Sequence, residues 1–419
     1  MKTILRRIEM SFVVFVLLFS TTPFFHLMPA AGGLTQATWY VVYIITFLLI
    51  LVRWRRFIYV FTKGKLLLLL VGIALVSVLW SAAPGFTLRR SFALLCTTML
   101  GAYLATRYAL NQQVRLLCWT FGILVLLNLV FCLTMPIYGI DSGIHAGAWQ
   151  GIYHQKNILG RLMSLSSVFF LLKSLSSHRY RWVLWTGFCL SFSMLLLSRS
   201  KTSLVIFIVL VILLPFFNAL RWNSGLKVHF FMIVVILSGG IATWFINIQE
   251  GVLTSLGRDS TLTGRLPLWS TLVDASQDRP WLGFGYNAFW LGWQGDGSSS
   301  VWSMHPWHPN HAHNAFLDLY LNLGLIGLTV FMLGFLSVCI KAANWVRLTK
   351  TAEGFWPLMY MIFLLLINQT ESVLLSQNNI LWLLYVTIGL SMTIQRHAQG
   401  SKTNTLSENP STTRCVRDV

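Results

Sequence analysis

Long apolar stretches alternate with short polar ones along almost the whole chain of 419 residues. An apolar run of ~17 to 25 residues can cross the ~30 Å hydrocarbon core of a bilayer as a helix. Because lipid offers no partners to backbone amides and carbonyls, each such run is predicted to be helical. We mark about twelve of them: 10–28, 37–52, 66–81, 91–106, 116–136, 158–175, 183–198, 202–220, 229–248, 313–340, 355–371 and 379–394. The predicted fold class is all-α, a polytopic integral membrane protein with one large loop between helices 9 and 10.

This pattern divides the chain into two parts. Residues 1–394, including the loop 249–312, are predicted to form one transmembrane domain. The tail 395–419 is polar, rich in Ser, Thr and Asn, and is predicted to be disordered and cytoplasmic. The first segment also has the charged start and apolar body of a signal peptide. We favour an uncleaved first helix, because Arg53 to Arg56 then fit the alternation of positive loops.

Composition agrees with a membrane protein. Hydrophobic residues make up 56% of the chain, charged residues only 10%, and the mean hydropathy is +0.67. These values exclude a soluble globular core. Five of the 6 cysteines lie in apolar runs and the last, Cys415, lies in the tail. The cysteines form no CxxC pattern, so we predict neither a disulfide nor a zinc site.

The 31 lysines and arginines give a net charge of +19, and most of them lie in alternate loops. The positive-inside rule assigns those loops and both termini to the cytoplasm. Because the basic residues are dispersed over many loops, a nucleic-acid partner is excluded. The basic residues left on the opposite side, against the rule, are Arg89, Arg90, Lys156, Arg161, Arg199, Lys201, Arg258, Arg265 and Arg279.

Polar residues on that opposite side gather in the segments 137–157, 198–203 and 249–312. In the last segment, LTGRLPLWSTLVDAS predicts a short amphipathic helix beginning near Thr263. WLGFGYNAFW, which contains Tyr286, predicts a glycine-punctuated turn with aromatic edges. A loop of this kind is expected to lie at the membrane surface.

The arginines in these segments are suited to binding an anion. Arginine offers phosphate oxygens a planar fork of donors and stays charged at any relevant pH. Arg199 and Arg265 facing a common cavity would form an anion clamp, which Lys201, Lys156 and Arg161 could extend. The loops carry only scattered acidic residues. The anion is therefore expected to be a ligand, and in a membrane a lipid phosphate or pyrophosphate.

Each basic residue also has a structural interpretation. Arg199 and Lys201 fit headgroup anchors that snorkel at a helix end. Arg265 fits a solvated helix face. Arg89 and Arg90 follow WSAAPGFTL, where a neighbouring interfacial tryptophan is typical of anchoring.

Four histidines precede the tenth predicted helix: His305, His308, His311 and His313. A metal site needs converging ligands. Two intervening prolines disfavour helical alignment, and no acidic or cysteine ligand is interleaved, so we predict no metal. His313, followed by Asn314 at the helix start, would be held by packing, where a neutral imidazole could take a proton from a hydroxyl. The alternative is a histidine that only satisfies the helix start.

The motifs together resemble a known family. WSAAPGFTLRR, GIYHQKNILGR, SRSKTSLV, TGRLPLW with GFGYNAFW, and HAHNAFLDLYLNLGLIGL are similar to the O-antigen ligase and Wzy-type polysaccharide polymerase superfamily, over most of residues 77–385. The resemblance implies a helical membrane fold with a sizeable periplasmic loop. It also implies metal-independent transfer of a glycan from an undecaprenyl-pyrophosphate carrier to an acceptor sugar hydroxyl, in the bacterial inner membrane and without a cofactor.

The resemblance also implies roles for individual residues. Arg199 and Arg265 match the arginines that contact the pyrophosphate, and His313 matches the histidine that activates the acceptor. His311 and Asn314 would be its neighbours, and Tyr286 a further substrate-binding residue. His305 and His308 are expected to have no catalytic role.

Three functions remain open at this stage. HQKNILGR favours the exopolysaccharide polymerase branch, in which Lys156 and Arg161 would touch a second pyrophosphate on the acceptor glycolipid. An O-antigen ligase, which moves finished polymer to lipid A-core, is the alternative. A transporter of lipid-linked sugars is disfavoured, because no internal repeat is evident. Membrane lipids and a chain-length regulator complete the expected partners.

Overall fold

The structure, a computed structural model, describes residues 2–23, 32–143, 145–177, 180–222, 265–349 and 351–407. Its helices are α1 (Lys2–Phe19), α2 (Gly32–Val52), α3 (Trp54–Thr62), α4 (Lys65–Val76), α5 (Pro84–Arg107), α6 (Leu110–Thr134), α7 (Pro136–Gly139), α8 (Lys156–Ser176), α9 (Arg181–Leu197), α10 (Lys201–Trp222), α11 (Arg265–Ser276), α12 (Asp296–Met304), α13 (Ala315–Leu348), α14 (Trp356–Ile367) and α15 (Ile380–Ser407). Within the described ranges, β pairing is limited to one bridge between Ile140 and Trp149. The predicted all-α class is confirmed.

Helices able to cross a membrane account for part of the predicted count. By length and composition, the described residues hold four, namely α2, α6, α8 and α13, or up to five if the bent pair of α3 and α4 counts as one. The helix α9 and apolar parts of α10, α14 and α15 coincide with predicted runs but are shorter. The predicted run 229–248 and residues 249–264 of the predicted loop lie outside the described residues. The count of twelve therefore stays a prediction.

The helix α8 is the most enclosed of these spans. Its apolar window is 83% buried, against 22% to 44% for α2, α6 and α13. It packs against α9, α10 and α14. The hydroxyl of Ser167 tolerates this burial by donating to the Met163 carbonyl at 2.7 Å. The helix α8 is thus held between these three neighbours.

The helix α13 is interrupted at Gly324, where φ is 64° and ψ is −168°. The segment 279–287 inserts at this break, and the Phe284 amide donates to the Leu321 carbonyl at 2.8 Å. Such bonds satisfy backbone groups that the break frees, as non-helical backbone at membrane depth requires. A Cβ on residue 324 would lie 2.2 Å from the Trp281 backbone. Only glycine fits this position.

The same segment is bonded to the turn between α4 and α5. The Tyr286 amide donates to Ser77 Oγ at 3.0 Å, and its carbonyl accepts from Thr87 Oγ1 at 3.1 Å. The Arg279 guanidinium donates to the Trp80 carbonyl at 3.1 Å. Two motifs almost 200 residues apart in the sequence, WSAAPGFTLRR and GFGYNAFW, therefore meet on one side of the bundle.

The described part of the large loop folds over a small apolar core of its own. This core consists of Leu268, Leu272, Phe284, Phe289, Val301, Ala312 and Leu321. The helix α11 is held to the histidine segment by the Trp269 indole, which donates to the Ala312 carbonyl at 2.8 Å. The segment that carries the histidines is thus held by this small core.

Two predicted boundaries differ from the observed elements. The predicted loop between the second and third spans contains the helix α3, because Phe57 and Val60 form an apolar face that is buried. The helix α15 continues to Ser407, beyond the predicted domain boundary at residue 394, and 408–419 lies outside the described residues. The division into domain and tail stays a prediction.

Candidate functional site

Asp318, in the first turn of α13, fixes the backbone that carries two histidines. Its carboxylate accepts from the Trp290 indole at 2.7 Å and from the Ala312 amide at 3.1 Å through each oxygen. Asp318 is 8% exposed, and a carboxylate so buried requires such donors. Because Ala312 lies between His311 and His313, Asp318 holds the backbone that carries both rings.

The start of α13 holds His313 from the other side. Asn314 caps the helix, and its Oδ1 accepts from the amides of Phe316 at 3.0 Å and Leu317 at 3.3 Å. This cap satisfies two of the amides that a helix start leaves unpaired. His313 has φ of 52°, a conformation uncommon for residues other than glycine and asparagine. A contact of Asn314 with substrate stays a prediction.

The rings of His311 and His313 form a close pair. Their centroids are 4.0 Å apart, with the ring planes at 68°. The His313 amide points to His311 Nδ1 at 3.3 Å. The Trp307 ring lies 6.0 Å from the His313 ring. Both histidines are half-buried, so the pair is shielded from bulk water on several sides.

Charged side chains from three elements act on this ring pair or on one another. Arg161 of α8 and Arg265 of α11 act on the histidines, and Glu371 of the turn between α14 and α15 acts on both arginines. Arg161 Nη1 lies 3.8 Å from Glu371 Oε2, and the two side chains are 10% and 17% exposed. The structure therefore brings together four of the predicted residues and adds a carboxylate.

The protonation states follow from burial and these charges. Burial lowers the pKa of His313 to about 3, with further lowering by His311 and Arg265. Burial, Arg265 and Arg161 lower the pKa of His311 to about 4. Burial raises the pKa of Glu371, although both arginines oppose the increase. Both imidazoles are therefore neutral near pH 7 and able to accept a proton.

Residues 368–379, the turn that carries Glu371, are tied to the helices around them. The Asn368 carbonyl accepts from the Ala315 amide at 3.0 Å, which joins the turn to the start of α13. The Tyr286 hydroxyl donates to the Leu375 carbonyl. Tyr286 is 2% exposed. Its visible contact is thus with the turn, while its predicted contact with substrate stays a prediction.

Arg199, Lys201 and Lys156 form a second basic group, at the starts of α8 and α10. Arg199 has φ of 50° and is exposed, and its Nη1 donates to the Ala146 carbonyl at 3.1 Å. Lys201 is exposed and Lys156 is half-buried. The charge of Asp141 acts on Lys156 together with those of Lys201 and Arg199.

Asn157 connects the two basic groups. Its Oδ1 accepts from Ser200 Oγ at 3.2 Å, and its side chain also forms a hydrogen bond with Glu371. Arg161 lies one helical turn farther along the same face of α8. The basic residues predicted to share one clamp are thus arranged as two groups joined by the first turn of α8.

A cavity of about 310 Å³ opens beside the ring pair. Its lining includes His311, Tyr286, Asp318, Trp290 and Arg90. The Arg90 guanidinium lies 4.9 Å from the centre of the Phe86 ring. The sequence favours an anchoring role for Arg90. Arg90 was, however, among the basic residues on the side that the positive-inside rule disfavours, and this was the signal of a place at the cavity.

Glu371 is the other residue that sequence analysis missed. It stands at the end of the predicted run 355–371, as one of only 12 acidic residues in the chain. An ionisable side chain at such a place is expected to have a partner. Its partner Arg161 is more than 200 residues away in the sequence, so the pairing required the tertiary structure.

The other two histidines have packing roles. His305 is 7% exposed, and its Nε2 lies 3.2 Å from Thr271 Oγ1. The His308 ring lies 4.8 Å from that of Trp302 and 5.6 Å from that of Trp293. Across the described residues, no three His, Cys, Asp or Glu side chains converge as metal ligands would.

Comparison with known proteins finds two matches to this chain. Residues 186–332 match the family model described as O-antigen ligase. The chain is also 26% identical over 295 residues to the exopolysaccharide production protein ExoQ of Rhizobium meliloti (strain 1021), covering 67% of this chain and 65% of that protein. The two matches confirm the resemblance to the O-antigen ligase and Wzy-type superfamily. The family match contains Arg199, Lys201, Arg265 and His313.

Proposed function

We propose that the protein is a glycosyltransferase of the bacterial inner membrane that moves a glycan from an undecaprenyl-pyrophosphate carrier to an acceptor sugar hydroxyl. Polymerisation of lipid-linked repeat units of a surface polysaccharide is the form of this reaction that we favour. The observation that carries the proposal is the neutral pair of His311 and His313 beside Arg265. A base and a cation stand together there, outside the helices that span the membrane.

The cations serve the leaving group. As the bond between the anomeric carbon and the pyrophosphate oxygen breaks, the electron pair moves to that oxygen. Arg265, extended by the basic group of Arg199, Lys201 and Lys156, would stabilise this growing negative charge. Interactions that strengthen in the transition state accelerate the reaction. No metal ion or cofactor is required by this scheme.

His313 serves the acceptor. It takes the hydroxyl proton as the acceptor oxygen bonds to the anomeric carbon, on the face opposite the departing pyrophosphate, so the configuration inverts. A general base works best when its pKa lies near the working pH. Burial, His311 and the positive charge of Arg265 lower the pKa of His313. A bound pyrophosphate cancels part of that charge and makes His313 a stronger base when the donor is present.

Glu371 would hold the arginines when no donor is bound. Its carboxylate lies beside Arg161 and acts on Arg265. Pyrophosphate, with more charge and more acceptor oxygens, would displace Glu371 from Arg265 but leave the more buried Arg161 paired. On this view Arg161 is a structural partner of Glu371 rather than a second pyrophosphate ligand.

The orientation follows from the distribution of basic loops. Both termini are assigned to the cytoplasm and the histidine site to the periplasm. The partners are the carrier-linked glycan, an acceptor glycolipid, membrane lipids and a chain-length regulator. An O-antigen ligase would use the same site with lipid A-core as acceptor. Transport of lipid-linked sugars without chemistry would leave the neutral histidine pair without a role.

Loss of the protein in its own cell separates these functions. For a polymerase, single repeat units accumulate on the carrier or core. For a ligase, long polymer accumulates on undecaprenyl pyrophosphate. A transporter would instead leave the lipid-linked sugar on the cytoplasmic side, inaccessible to periplasmic labelling, and that result would overturn the proposal.

A further inference from the structure

A second cavity, the lysine cavity, lies between α3, α4, α13 and α15. Its volume is about 290 Å³. Lys63 and Lys65 line it at the elbow between α3 and α4, and Lys341 lines it from α13. The remaining lining residues are apolar or uncharged, and no carboxylate is among them. Three positive charges therefore meet around one space.

The lysine cavity is remote from the histidines. Ser77, just after α4, accepts a bond from Tyr286 at the histidine end, whereas Lys65 begins the same helix. At 1.5 Å per residue the two ends of α4 are roughly 18 Å apart. Lys341 likewise lies roughly 25 Å along α13 from the break at Gly324. The cavity thus opens at the end of the bundle that the basic loops assign to the cytoplasm.

The local groups suit a phosphate. Lys63 Nζ lies 5.1 Å from the centre of the Tyr59 ring, and Lys341 Nζ donates to Thr393 Oγ1 at 3.0 Å. These contacts hold two ammonium groups at the cavity. Gly64 precedes α4 and provides no side-chain cap. The first amides of α4 therefore add partial positive charge to that of the lysines.

The surroundings suit a lipid. The helix α3 meets α4 at 91°, so α3 runs along the membrane surface if α4 crosses the membrane. Trp54 and Tyr59 of α3 are 53% and 51% exposed, as expected of aromatic residues at the headgroup level. Apolar residues such as Leu66 and Leu390 form the cavity walls. A free inorganic anion would gain no contact energy from these apolar walls, whereas the acyl chains of a lipid would pack against them.

We propose that the lysine cavity binds the phosphate of an anionic phospholipid in the cytoplasmic leaflet, with its acyl chains against the apolar walls. Basic pockets between transmembrane helices on the cytoplasmic side are suited to such headgroups. The proposal does not depend on the reaction at the histidines.

Native mass spectrometry of the purified full-length chain tests it, with phosphatidylglycerol, phosphatidylcholine and inorganic phosphate added separately at equal concentrations. We expect retained phosphatidylglycerol adducts and a raised Tm with that lipid alone. Equal retention of phosphatidylcholine would show an unselective lipid surface. Stabilisation by inorganic phosphate equal to that by phosphatidylglycerol would show a site for free phosphate. Either result overturns the proposal.

Variants locate the binding. In K63Q/K65Q/K341Q, affinity for phosphatidylglycerol should fall about tenfold or more, because each basic residue near an anionic headgroup contributes about fivefold to affinity. The control R115Q/R181Q/R347Q removes the same charge from exposed positions outside the lysine cavity and should bind as wild type does. K63R/K65R/K341R should retain binding. An equal loss in the control and the lysine variant would place the effect in net charge and overturn the site.

Discussion

Glu371 Oε2 lies 3.8 Å from Arg161 Nη1, in a pair whose side chains are 17% and 10% exposed. The carboxylate also acts on Arg265. The carboxylate of Glu371 thus interacts with two arginines, Arg161 and Arg265, that come from different helices. A ligand that binds at Arg265 must compete with a negative charge that the protein itself supplies.

E371Q tests this arrangement. Removing the carboxylate leaves Arg161 largely buried without its charged partner, which costs up to roughly 3 kcal/mol of folding free energy for buried pairs. We expect a lower Tm for the empty protein, measured by thermal unfolding in detergent. The control E353Q breaks the more exposed pair with Lys173, whose side chains are 26% and 24% exposed, and should cost no more than ~1 kcal/mol. Equal decreases would contradict a structural role for Glu371.

H313N tests the proposed base. Asparagine tolerates the positive φ of 52° at this position, so the backbone should be kept while the base is lost. We expect glycan transfer to fall by ~10² to 10⁴-fold, measured with a carrier-linked donor at equal protein level. The matched control is H308N, at φ of 46°, which should keep most of the activity. Similar rates in both variants would rule out His313 as the base.

R265K tests whether a charge alone is sufficient. Lysine keeps the cation but cannot give the paired donors of a guanidinium. We expect transfer to fall by ~10² to 10³-fold, the usual effect of removing one donor that stabilises transition-state charge. R279K, in the same loop, should keep transfer, since the Arg279 guanidinium bonds to the Trp80 carbonyl at 3.1 Å rather than facing the ring pair. A normal rate in R265K would show that a point charge suffices.

D318N tests how the ring pair is positioned. Asparagine can keep the oxygen that accepts from both the Trp290 indole and the Ala312 amide, but its NH2 group replaces the second oxygen and faces the Ala312 amide, donor against donor. An unsatisfied buried donor costs ~1 to 3 kcal/mol. We expect kcat to fall because His313 shifts from its working position, with a smaller change in KM for the carrier-linked donor. A change in Tm with an unaltered kcat would leave Asp318 a structural residue only.

The lowered histidine pKa values predict an unusual response to pH. Because burial lowers the pKa of His313 to about 3, it stays neutral when the pH of the free protein falls through 6.5. At low donor concentration, we expect kcat/KM to show no inflection near that value. An inflection at the ordinary histidine pKa in the free enzyme would contradict the buried, neutral pair.

The lowered pKa values of His311 and His313 also limit the pH range in which rates can be compared. Unfolded histidines bind protons below their ordinary pKa of 6.5, whereas folded His313 and His311 do so only near 3 and 4. The unfolded state therefore binds more protons in this window, and the free energy of unfolding falls as the pH falls. Rates should be compared only where the Tm shows that the protein remains folded.

The apolar pattern determined a large part of the fold. Runs such as 116–136 and 158–175 coincide with α6 and α8, because a helix is the structure that satisfies a continuous backbone in lipid. The break in α13 was not predicted. LNLGLIGL is apolar except for Asn322, and its Gly324 departs from the helix where the segment 279–287 supplies hydrogen-bond partners.

The sequence by itself determined the helical class, the segments in which the basic residues lie, and His313 as the histidine next to a helix start. These depend on local composition and on the adjacent capping residue Asn314. Only the tertiary structure decided that Arg161 pairs with Glu371, that Arg90 lines a cavity, and that the basic residues form two groups. Pairing in a membrane joins residues far apart in the chain, and the desolvation that shifts their pKa values depends on neighbours that no local pattern specifies.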